Sequence, residues 1–268
     1  MNELHLFAGA GGGILGGQLL GHRTVCAVEW ESYPRSVIVA RQNDGTFPPF
    51  PIWDDVQTFD GKPWKGIVDV VCGGFPCQDI SAAGKGAGID GERSGMWGEM
   101  ARIIHEVQPR FAFLENSPML TSRGLGRVLG DLAAMGFDAR WGVLGAADVG
   151  ANHQRDRIWI LARRNNYISH TKHNGFRWGK QQQEGFKKEA IFLSNTDSTQ
   201  CEGKQQSKRI SQEHTDIGNS RWWKIEPELG RVADGVADRS HRLKAIGNGQ
   251  VPLCAAIAFT ILMDSFNA

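Results

Sequence analysis

The chain of 268 residues and 29.5 kDa is long enough for one full domain and a smaller second one. Hydrophobic residues make up 41% and charged residues 22% of it, which excludes a fibrous, collagen-like or wholly disordered protein. No apolar run approaches the roughly 20 residues of a membrane helix, and the first residues lack the basic and apolar regions of a signal peptide. Five widely spaced cysteines without a Cys-x-x-Cys pair are typical of free thiols inside a cell. We therefore expect a cytoplasmic protein with no membrane partner.

The first 163 residues alternate short apolar runs with helical patterns. Strands are predicted at residues 4–7, 24–28, 67–72, 111–114, 141–144 and 158–162, and helices at 14–20, 33–42, 94–107 and 125–135. Strands that alternate with helices indicate βαβ units, which predicts an α/β fold with a doubly wound, mostly parallel sheet.

The formal net charge of +1 conceals a basic segment beyond this region. Residues 163–224 carry 12 Lys and Arg against 6 Asp and Glu, whereas the rest of the chain carries 18 and 23. The segment contains seven glutamines and has no apolar periodicity. It suits contact with an anion, and a solvated polar face is the alternative.

Apolar character returns at residues 251–263, where a helix is predicted with Pro252 in its first turn. This helix is apolar over most of its surface, so we expect it to pack onto the first domain. The predicted organisation is therefore a catalytic domain made of residues 1–163 plus 239–268. A small, irregular region at 164–238 interrupts it.

A glycine-rich loop, residues 7–12, follows the first predicted strand and opens the first helix. Glycines allow a ligand to approach backbone N–H groups closely. Glu29 ends the next strand, where a carboxylate can hold the two hydroxyls of a ribose. Together they favour an adenosine-containing ligand, without distinguishing a dinucleotide from S-adenosylmethionine. A loop that merely turns tightly is the alternative.

Cys77 lies in the sequence Gly73-Gly74-Phe75-Pro76-Cys77-Gln78, directly after the third predicted strand. Ligands bind at the carboxyl ends of strands in such sheets, and Pro76 restricts the backbone beside the thiol. A nucleophile is the favoured interpretation of Cys77. For Cys26, Cys72 and Cys254 we expect buried structural thiols.

Glu115 ends another strand at the same predicted sheet edge. Burial there would favour its protonated form, which can donate a hydrogen bond, and a helix cap at the strand end is the alternative. Arg155 and Arg157 point to the same side if their stretch is extended. Structural ion pairing, for example with Asp156, is the alternative for this pair.

In this order the motifs resemble the conserved blocks of C5-cytosine DNA methyltransferases. The blocks are residues 7–12, Glu29, Asp55, residues 76–78, residues 115–116, residues 155–157 and residues 247–248. The resemblance covers about residues 4–163 and 239–264. It implies a Rossmann-like methyltransferase sheet and S-adenosylmethionine as the cofactor, with S-adenosylhomocysteine as its product.

The resemblance also implies a covalent mechanism on a cytosine flipped out of double-stranded DNA. Cys77 resembles the nucleophile that adds to C6 of the base, so that C5 can accept the methyl group. Glu115 resembles the acid that hydrogen-bonds N3 and the exocyclic amine, and Arg155 and Arg157 resemble the pair that orients the base and supports the reactive loop. The base that removes the C5 proton is not identified, and water can serve.

The implied cofactor pocket is formed by Phe7, Gly9, Gly11, Gly12, Glu29, Trp30, Asp55, Pro76 and Asn248. Glu29 should hold the ribose and Trp30 should stack on adenine. Asp55 should bind the exocyclic amine of adenine, with Asp54 as the neighbour that could take its place. No metal is expected. A zinc site from His170, His173, Cys201 and His214 is disfavoured because the spacing is irregular.

For DNA binding, the resemblance points to Gln78 and Ser81 near the flipped base. In the basic segment, Arg177, Lys208 and Arg209 are candidates for contacts with phosphates or base edges. A monomer is expected, and a cognate restriction endonuclease in a bacterial, prophage or phage system is compatible with the resemblance.

Three other functions compete with this interpretation. A tRNA-acting cytosine methyltransferase of the same family would carry a Cys-Phe-Thr triplet, which is absent here. An NAD-dependent dehydrogenase would leave residues 73–78 unexplained. A catalytically silent DNA-binding module would lack the cysteine or a cofactor residue, and this chain retains them. One departure from the family pattern is His153, which stands where a glutamine is usual.

Overall fold

The computed structural model describes residues 1–76, 95–165 and 239–267. The strands over these ranges are β1 (Asn2–Leu6), β2 (Arg23–Val28), β3 (Ile52–Trp53), β4 (Val70–Gly73), β5 (Phe111–Asn116), β6 (Phe137–Leu144) and β7 (Arg157–Arg164). The α-helices are α1 (Gly12–Leu19), α2 (Ser32–Asn43), α3 (Gly95–Val107), α4 (Leu120–Arg123), α5 (Leu125–Ala134), α6 (Arg239–Asn248) and α7 (Pro252–Asp264).

The strands form one sheet in the order β3-β2-β1-β4-β5-β7-β6. β1 to β5 pair in parallel, whereas β7 lies antiparallel between β5 and β6. Strands β2 and β3 are added on one side of β1 and strands β4 and β5 on the other, so the winding changes direction at β1, as in a doubly wound sheet. The predicted fold class, a mostly parallel α/β sheet, is confirmed.

Side chains alternate between two hydrophobic clusters on opposite faces of the sheet. Val71 and Leu114 belong to the cluster that includes α3 and α5. Cys72 and Phe113 belong to the cluster that includes α7. Because neighbouring residues of a strand point to opposite faces, these apolar strands are buried on both sides, as in other parallel sheets.

Helix α7 packs against α1 and β7, which confirms the prediction that the C-terminal helix returns to the first domain. The approach to α1 is close, since an ideal Cβ on Gly16 would lie 2.8 Å from the Cβ of Ala255. By length and hydropathy alone, the stretch Ser240–Asp264 is long and apolar enough to cross a membrane. This is weak support for a span, because buried residues such as Phe259 and Leu262 give α7 the character of a core helix.

Three of the strands and α-helices given above were not predicted: β3, α4 and α6. β3 has two residues and α4 has four, too short to show a periodic apolar pattern. The third predicted strand also begins later than expected, because Ile67 and Val68 donate backbone hydrogen bonds to the carbonyl of Trp64 in a turn. Strand β4 therefore starts at Val70.

A buried polar cluster lies beneath α1, away from the strand ends. Nε2 of His5 is 2.9 Å from Oε2 of Glu3, and Nδ1 of His22 is 2.7 Å from Oε1 of the same carboxylate. Burial acts to raise the pKa of Glu3, but hydrogen bonds to His22 and His5 prevail and lower it to about 2. Glu3 and His5 lie on one face of β1, whereas Leu4 and Leu6 lie on the other. The sequence shows this alternation of polar and apolar residues directly.

Candidate active site

The carboxyl ends of four parallel strands meet at one edge of the sheet. Leu6 is paired with Val28 on one side and with Gly73 on the other, and Gly73 is paired with Leu114. The residues that follow these positions therefore line up across the sheet. They are Phe7, Glu29, Gly74 and Glu115, which come from separate sequence motifs.

A cavity of about 720 Å³ opens at this edge. It is within the range of roughly 300–1,000 Å³ that is usual for small-molecule sites. Of the predicted site residues, the cavity is lined by Phe7, Gly9, Glu29, Trp30, Asp55, Pro76, Glu115, Arg157 and Asn248. One continuous cavity thus connects seven of the nine predicted cofactor residues with Glu115 and Arg157.

Glu29 is buried and supports the glycine loop. Its Oε2 accepts the N–H of Gly9 at 2.7 Å, and its Oε1 accepts the N–H of Glu31 at 2.8 Å. Burial raises the pKa of this carboxyl, although the two backbone hydrogen bonds act in the opposite direction. Each carboxylate oxygen has a second lone pair, so the group can still accept hydrogen bonds from ligand hydroxyls.

Trp30 and the two aspartates form the outer wall of the cavity. Trp30 is 70% exposed, so its indole ring is available for stacking on a ligand. Asp54 and Asp55 both line the cavity, so either could meet an adenine amine. Asp54 accepts the N–H of Asp55 at 2.9 Å, and Asp55 in turn accepts the N–H of Gln57.

Some residues of the glycine loop line the cavity, and others pack against neighbouring parts of the protein. Phe7 and Gly9 both have positive φ values and line the cavity. Gly11 and Gly12 are not among its lining residues. An ideal Cβ on Gly11 would lie 2.8 Å from the ring of Phe47, and one on Gly12 would lie 2.1 Å from the carbonyl oxygen of Gln250.

Glu115 and Arg157 form the polar end of the cavity. Nε of Arg157 is 2.7 Å from Oε1 of Glu115, and the carboxylate side chain is only 11% exposed. Burial raises the pKa of Glu115, whereas Arg157, Arg155 and a hydrogen bond from Gln250 act to lower it. The carboxyl is therefore poised to hold a proton at a higher pH than an ordinary glutamate.

Arg155, a predicted catalytic residue, does not line the cavity and instead holds the C-terminal segment in place. One of its terminal nitrogens donates to the carbonyl oxygens of Gly247 and Gly249, both at 2.6 Å. It thereby connects the segment just before β7 to the end of α6 and to the first residue after it. Burial and the neighbouring charge of Arg157 lower the pKa of its guanidinium.

The C-terminal segment reaches the cavity through α6 and this turn. Nζ of Lys244 is 2.7 Å from Oε1 of Glu31, and the ring of His241 lies against that of Tyr33. Asn248 lines the cavity as predicted. Gln250, which no sequence motif indicated, is hydrogen-bonded to the side chain of Glu115.

The remaining predicted site residues lie outside the described ranges. They are Cys77, Gln78, Ser81, Arg177, Lys208 and Arg209, together with the four residues of the disfavoured zinc site. Pro76, the last described residue before Cys77, lines the cavity. The described cysteines Cys26, Cys72 and Cys254 are free and buried, as predicted for structural thiols.

Within the described ranges, Glu3, His5 and Cys72 place potential metal-ligating atoms within 4.8 Å of one another. The carboxylate already bonds both imidazoles, and Cys72 hydrogen-bonds it as well. Burial and the Glu3 charge raise the pKa of the Cys72 thiol well above its ordinary value, which opposes the thiolate form that metals bind. Internal hydrogen bonding accounts for this cluster.

The sequence model of the C-5 cytosine-specific DNA methylase family matches residues 1–250. The chain belongs to this family. Its membership agrees with the resemblance of the motif blocks and with the sheet edge at which they meet.

Several curated relatives of this chain are type II methyltransferases. M.Eco47II of Escherichia coli is 30% identical over 84% of this chain and 54% of its own length. M.NgoBI of Neisseria gonorrhoeae is 33% identical over 59% of this chain and 49% of its own. The chain spans about half the length of these relatives.

Solved structures support the fold. The Entamoeba histolytica methyltransferase EhMeth aligns with a TM-score of 0.52 at 14% identity, over 69% of this chain and 57% of its own. Spodoptera frugiperda DNMT2 aligns with a TM-score of 0.50 at 21% identity, over 67% and 55%. At these identities the likeness concerns the sheet and its helices alone.

Proposed function

We propose that this methylase transfers a methyl group from S-adenosylmethionine to C5 of cytosine in double-stranded DNA. The observation that carries the proposal is the single cavity that joins Glu29 and Trp30 to Glu115 and Arg157. A cofactor at one end and a flipped base at the other would bring the methyl group and its acceptor together. Extruding the base from the duplex costs a few kcal/mol, which binding must offset.

The cavity suits the proposed cofactor. Glu29 can accept hydrogen bonds from ribose hydroxyls, and the exposed face of Trp30 can stack on adenine. Asp55, or Asp54 beside it, can accept a hydrogen bond from the adenine amine. Gly9 leaves open space beside its backbone, since an ideal Cβ there would have no neighbour within 4 Å. When bound, S-adenosylmethionine supplies an electrophilic methyl group.

Cytosine C5 is a poor nucleophile, so the base must first be activated. We assign this role to Cys77, which follows the cavity residue Pro76 directly in the chain. The thiolate forms a bond to C6, and the electron pair of the C5–C6 double bond becomes available at C5 to take the methyl group. Loss of the C5 proton to a base, for which water suffices, then expels the thiolate and restores the ring.

Glu115 and Arg157 serve the base during this addition. A protonated Glu115 can donate to N3 and offset the charge that develops on the ring as the thiolate adds. Arg157 holds Oε1 of the carboxyl at 2.7 Å and fixes its orientation. Burial, which raises the pKa of Glu115, favours this protonated form.

The decisive experiment is transfer of labelled methyl groups from S-adenosylmethionine to unmethylated duplex DNA of mixed sequence. Wild type should label cytosine C5, and Cys77→Ala should abolish the transfer. Cys26→Ala, which removes a buried thiol outside the cavity, should retain it.

Other outcomes of this experiment are equally informative. Transfer that survives Cys77→Ala would refute the covalent mechanism. Transfer to tRNA but not to DNA would refute the proposed substrate. Absence of transfer with cofactor and DNA still bound would favour the catalytically silent module.

We infer that the basic segment at 164–238 recognises the DNA, with Arg177, Lys208 and Arg209 among its contacts and Gln78 and Ser81 near the flipped base. Each phosphate contact removed should lower the salt dependence of binding. Lys208→Ala combined with Arg209→Ala should therefore weaken DNA binding and reduce its dependence on salt concentration, and an unchanged dependence would contradict the assignment.

The type II relatives support a cytoplasmic restriction-modification setting with a cognate endonuclease.

A further inference from the structure

Glu115 is held from two sides. Arg157 contacts its Oε1, as described above. On the other side, an ideal Cβ on Gly74 would lie 2.5 Å from Oε2 of Glu115 and 3.4 Å from Nε2 of Gln250. The carboxyl oxygen and the glutamine amide therefore meet over the open Cα of Gly74, and the two side chains are hydrogen-bonded.

Gln250 is itself fixed by the first turn of α1. Its carbonyl oxygen lies against Gly12, where an ideal Cβ would be only 2.1 Å away. Its Oε1 lies against Gly13, where the corresponding distance is 2.3 Å. These glycines leave no space for side chains, so the start of α1 forms a seat for the backbone and the amide of Gln250.

The turn that carries Gln250 is anchored independently. Arg155 donates to the carbonyls of Gly247 and Gly249, immediately before it in the chain. Asn248 of the same turn lines the cavity. One short segment thus contacts the cofactor end of the cavity, the start of α1 and the carboxyl at the base end.

We propose that Gln250 is a positioning residue for Glu115: its amide nitrogen holds Oε2 while Arg157 holds Oε1. With both oxygens held, the carboxyl group of Glu115 has one fixed orientation in which to donate its proton to the cytosine ring. This orientation requires that residues 247–250 are packed against the start of α1. This role rests on the proposed methyl transfer, because it acts through Glu115. The hydrogen bond itself can be tested without catalysis.

The test compares wild type with Gln250→Met and Gln250→Glu, two variants of similar shape that lack the amide donor. Gln42→Met is the matched control, since it removes a half-buried glutamine whose amide donates to the carbonyl of Phe50 away from the carboxyl. The readouts are the pH dependence of single-turnover methyl transfer, the Kd for S-adenosylhomocysteine, and the titration of the Glu115 carboxyl by ¹³C NMR. The resonance of Glu115 is identified by its loss in Glu115→Gln.

A donor to the ionised carboxylate favours that form, so its removal should move the Glu115 titration to higher pH. We expect this movement in both Gln250 variants, with the larger one in Gln250→Glu because a second carboxylate faces the first. At a pH where Glu115 is protonated, methyl transfer should slow roughly 2- to 10-fold, as expected for loss of a hydrogen bond that orients a neutral carboxyl group. The Kd for S-adenosylhomocysteine should change less than about threefold.

An unmoved Glu115 titration in both variants would overturn the proposal, whatever happens to activity. A loss of rate matched by an equal loss of S-adenosylhomocysteine affinity, again with an unmoved titration, would reduce Gln250 to a packing residue. Failure of the proposed function has a different signature. In that case wild type transfers no methyl group to cytosine C5, yet the NMR titration still decides whether Gln250 holds the carboxyl.

Discussion

At the scale of single residues, the cavity contains a carboxyl group whose burial raises its pKa. Glu115 combines an 11% exposed side chain with an arginine at 2.7 Å. The sequence indicated a catalytic acid at the end of a strand, and the cavity lining agrees with that position. The competing interpretation, a helix cap by Asn116 or Ser117, is not supported, because α4 has Met119 as its N-cap residue and no side-chain cap hydrogen bond.

We predict that Glu115→Gln slows methyl transfer by roughly 10²–10⁴-fold, the usual contribution of general-acid assistance. The amide keeps the shape of the side chain but has no proton to transfer, so the Kd for S-adenosylhomocysteine should change little. Single-turnover transfer and cofactor titration measure the two effects. Glu99→Gln, at a half-exposed ion pair with Arg102, is the control.

The pH dependence of methyl transfer follows from the direction in which the pKa of Glu115 is shifted. Burial raises this pKa, so the protonated, donating form persists to a higher pH than in an ordinary glutamate. Transfer should fall as the pH rises through the raised pKa, and Glu115→Gln should abolish that limb of the rate profile. A variant that keeps the limb would show that another group titrates.

At the scale of elements, the start of α1 and the turn at 247–250 must fit closely. Gly12 permits this because any side chain would meet the carbonyl of Gln250. We predict that Gly12→Ala separates the two elements and raises the Kd for S-adenosylhomocysteine at least tenfold. Gly130→Ala, in the middle of α5 with open space around it, should bind normally and gain roughly 0.5–1 kcal/mol of stability.

Arg155 gives a second prediction about the same contact. Arg155→Met should release the carbonyls of Gly247 and Gly249 and weaken cofactor binding through Asn248, while Glu115 keeps its bond to Arg157. Calorimetric titration with S-adenosylhomocysteine measures the loss, for which we expect about tenfold. Arg41→Met, which removes an exposed ion pair with Asp44, should leave the affinity unchanged, and equal affinities for all three proteins would contradict this role of Arg155.

At the scale of the whole molecule, the buried Glu3 cluster links stability to pH. Its folded-state pKa of about 2 lies below the ordinary value of 4.5, so its contribution is complete above pH 4.5. That contribution is lost as the pH falls from 4.5 towards 2. The cluster lies away from the cavity, so its effect should appear in folding rather than in catalysis.

We predict that Glu3→Gln lowers the free energy of unfolding at pH 7 by about 1.5–3 kcal/mol, the range for hydrogen bonds to a charged group. It should also flatten the pH dependence of stability between pH 4.5 and 2. Urea unfolding across this range measures both effects, with Glu99→Gln as the control. A Glu3→Gln protein with the wild-type slope would show that the acid sensitivity originates elsewhere.

The sequence by itself determined the fold class, the order of the motifs and nine of the 23 residues that line the cavity. Strand ends follow from apolar runs, and the carboxyl ends of parallel strands share an edge, so Glu29 and Glu115 could be assigned to one site. The family resemblance added the roles of Cys77, Trp30 and Asn248. Those roles remain predictions, and Cys77 lies outside the described residues.

Only the tertiary structure decided which groups touch across long separations in the chain. Gln250 meets Glu115 and the start of α1, Arg155 bonds a turn more than 90 residues away, and Gly12 packs instead of lining the cavity. Local pattern carries no record of such contacts, because they depend on where α7 returns to the sheet. The physical reason is that strand and helix periodicity is a property of neighbouring residues, whereas hydrogen-bond partners across elements are set by how those elements pack.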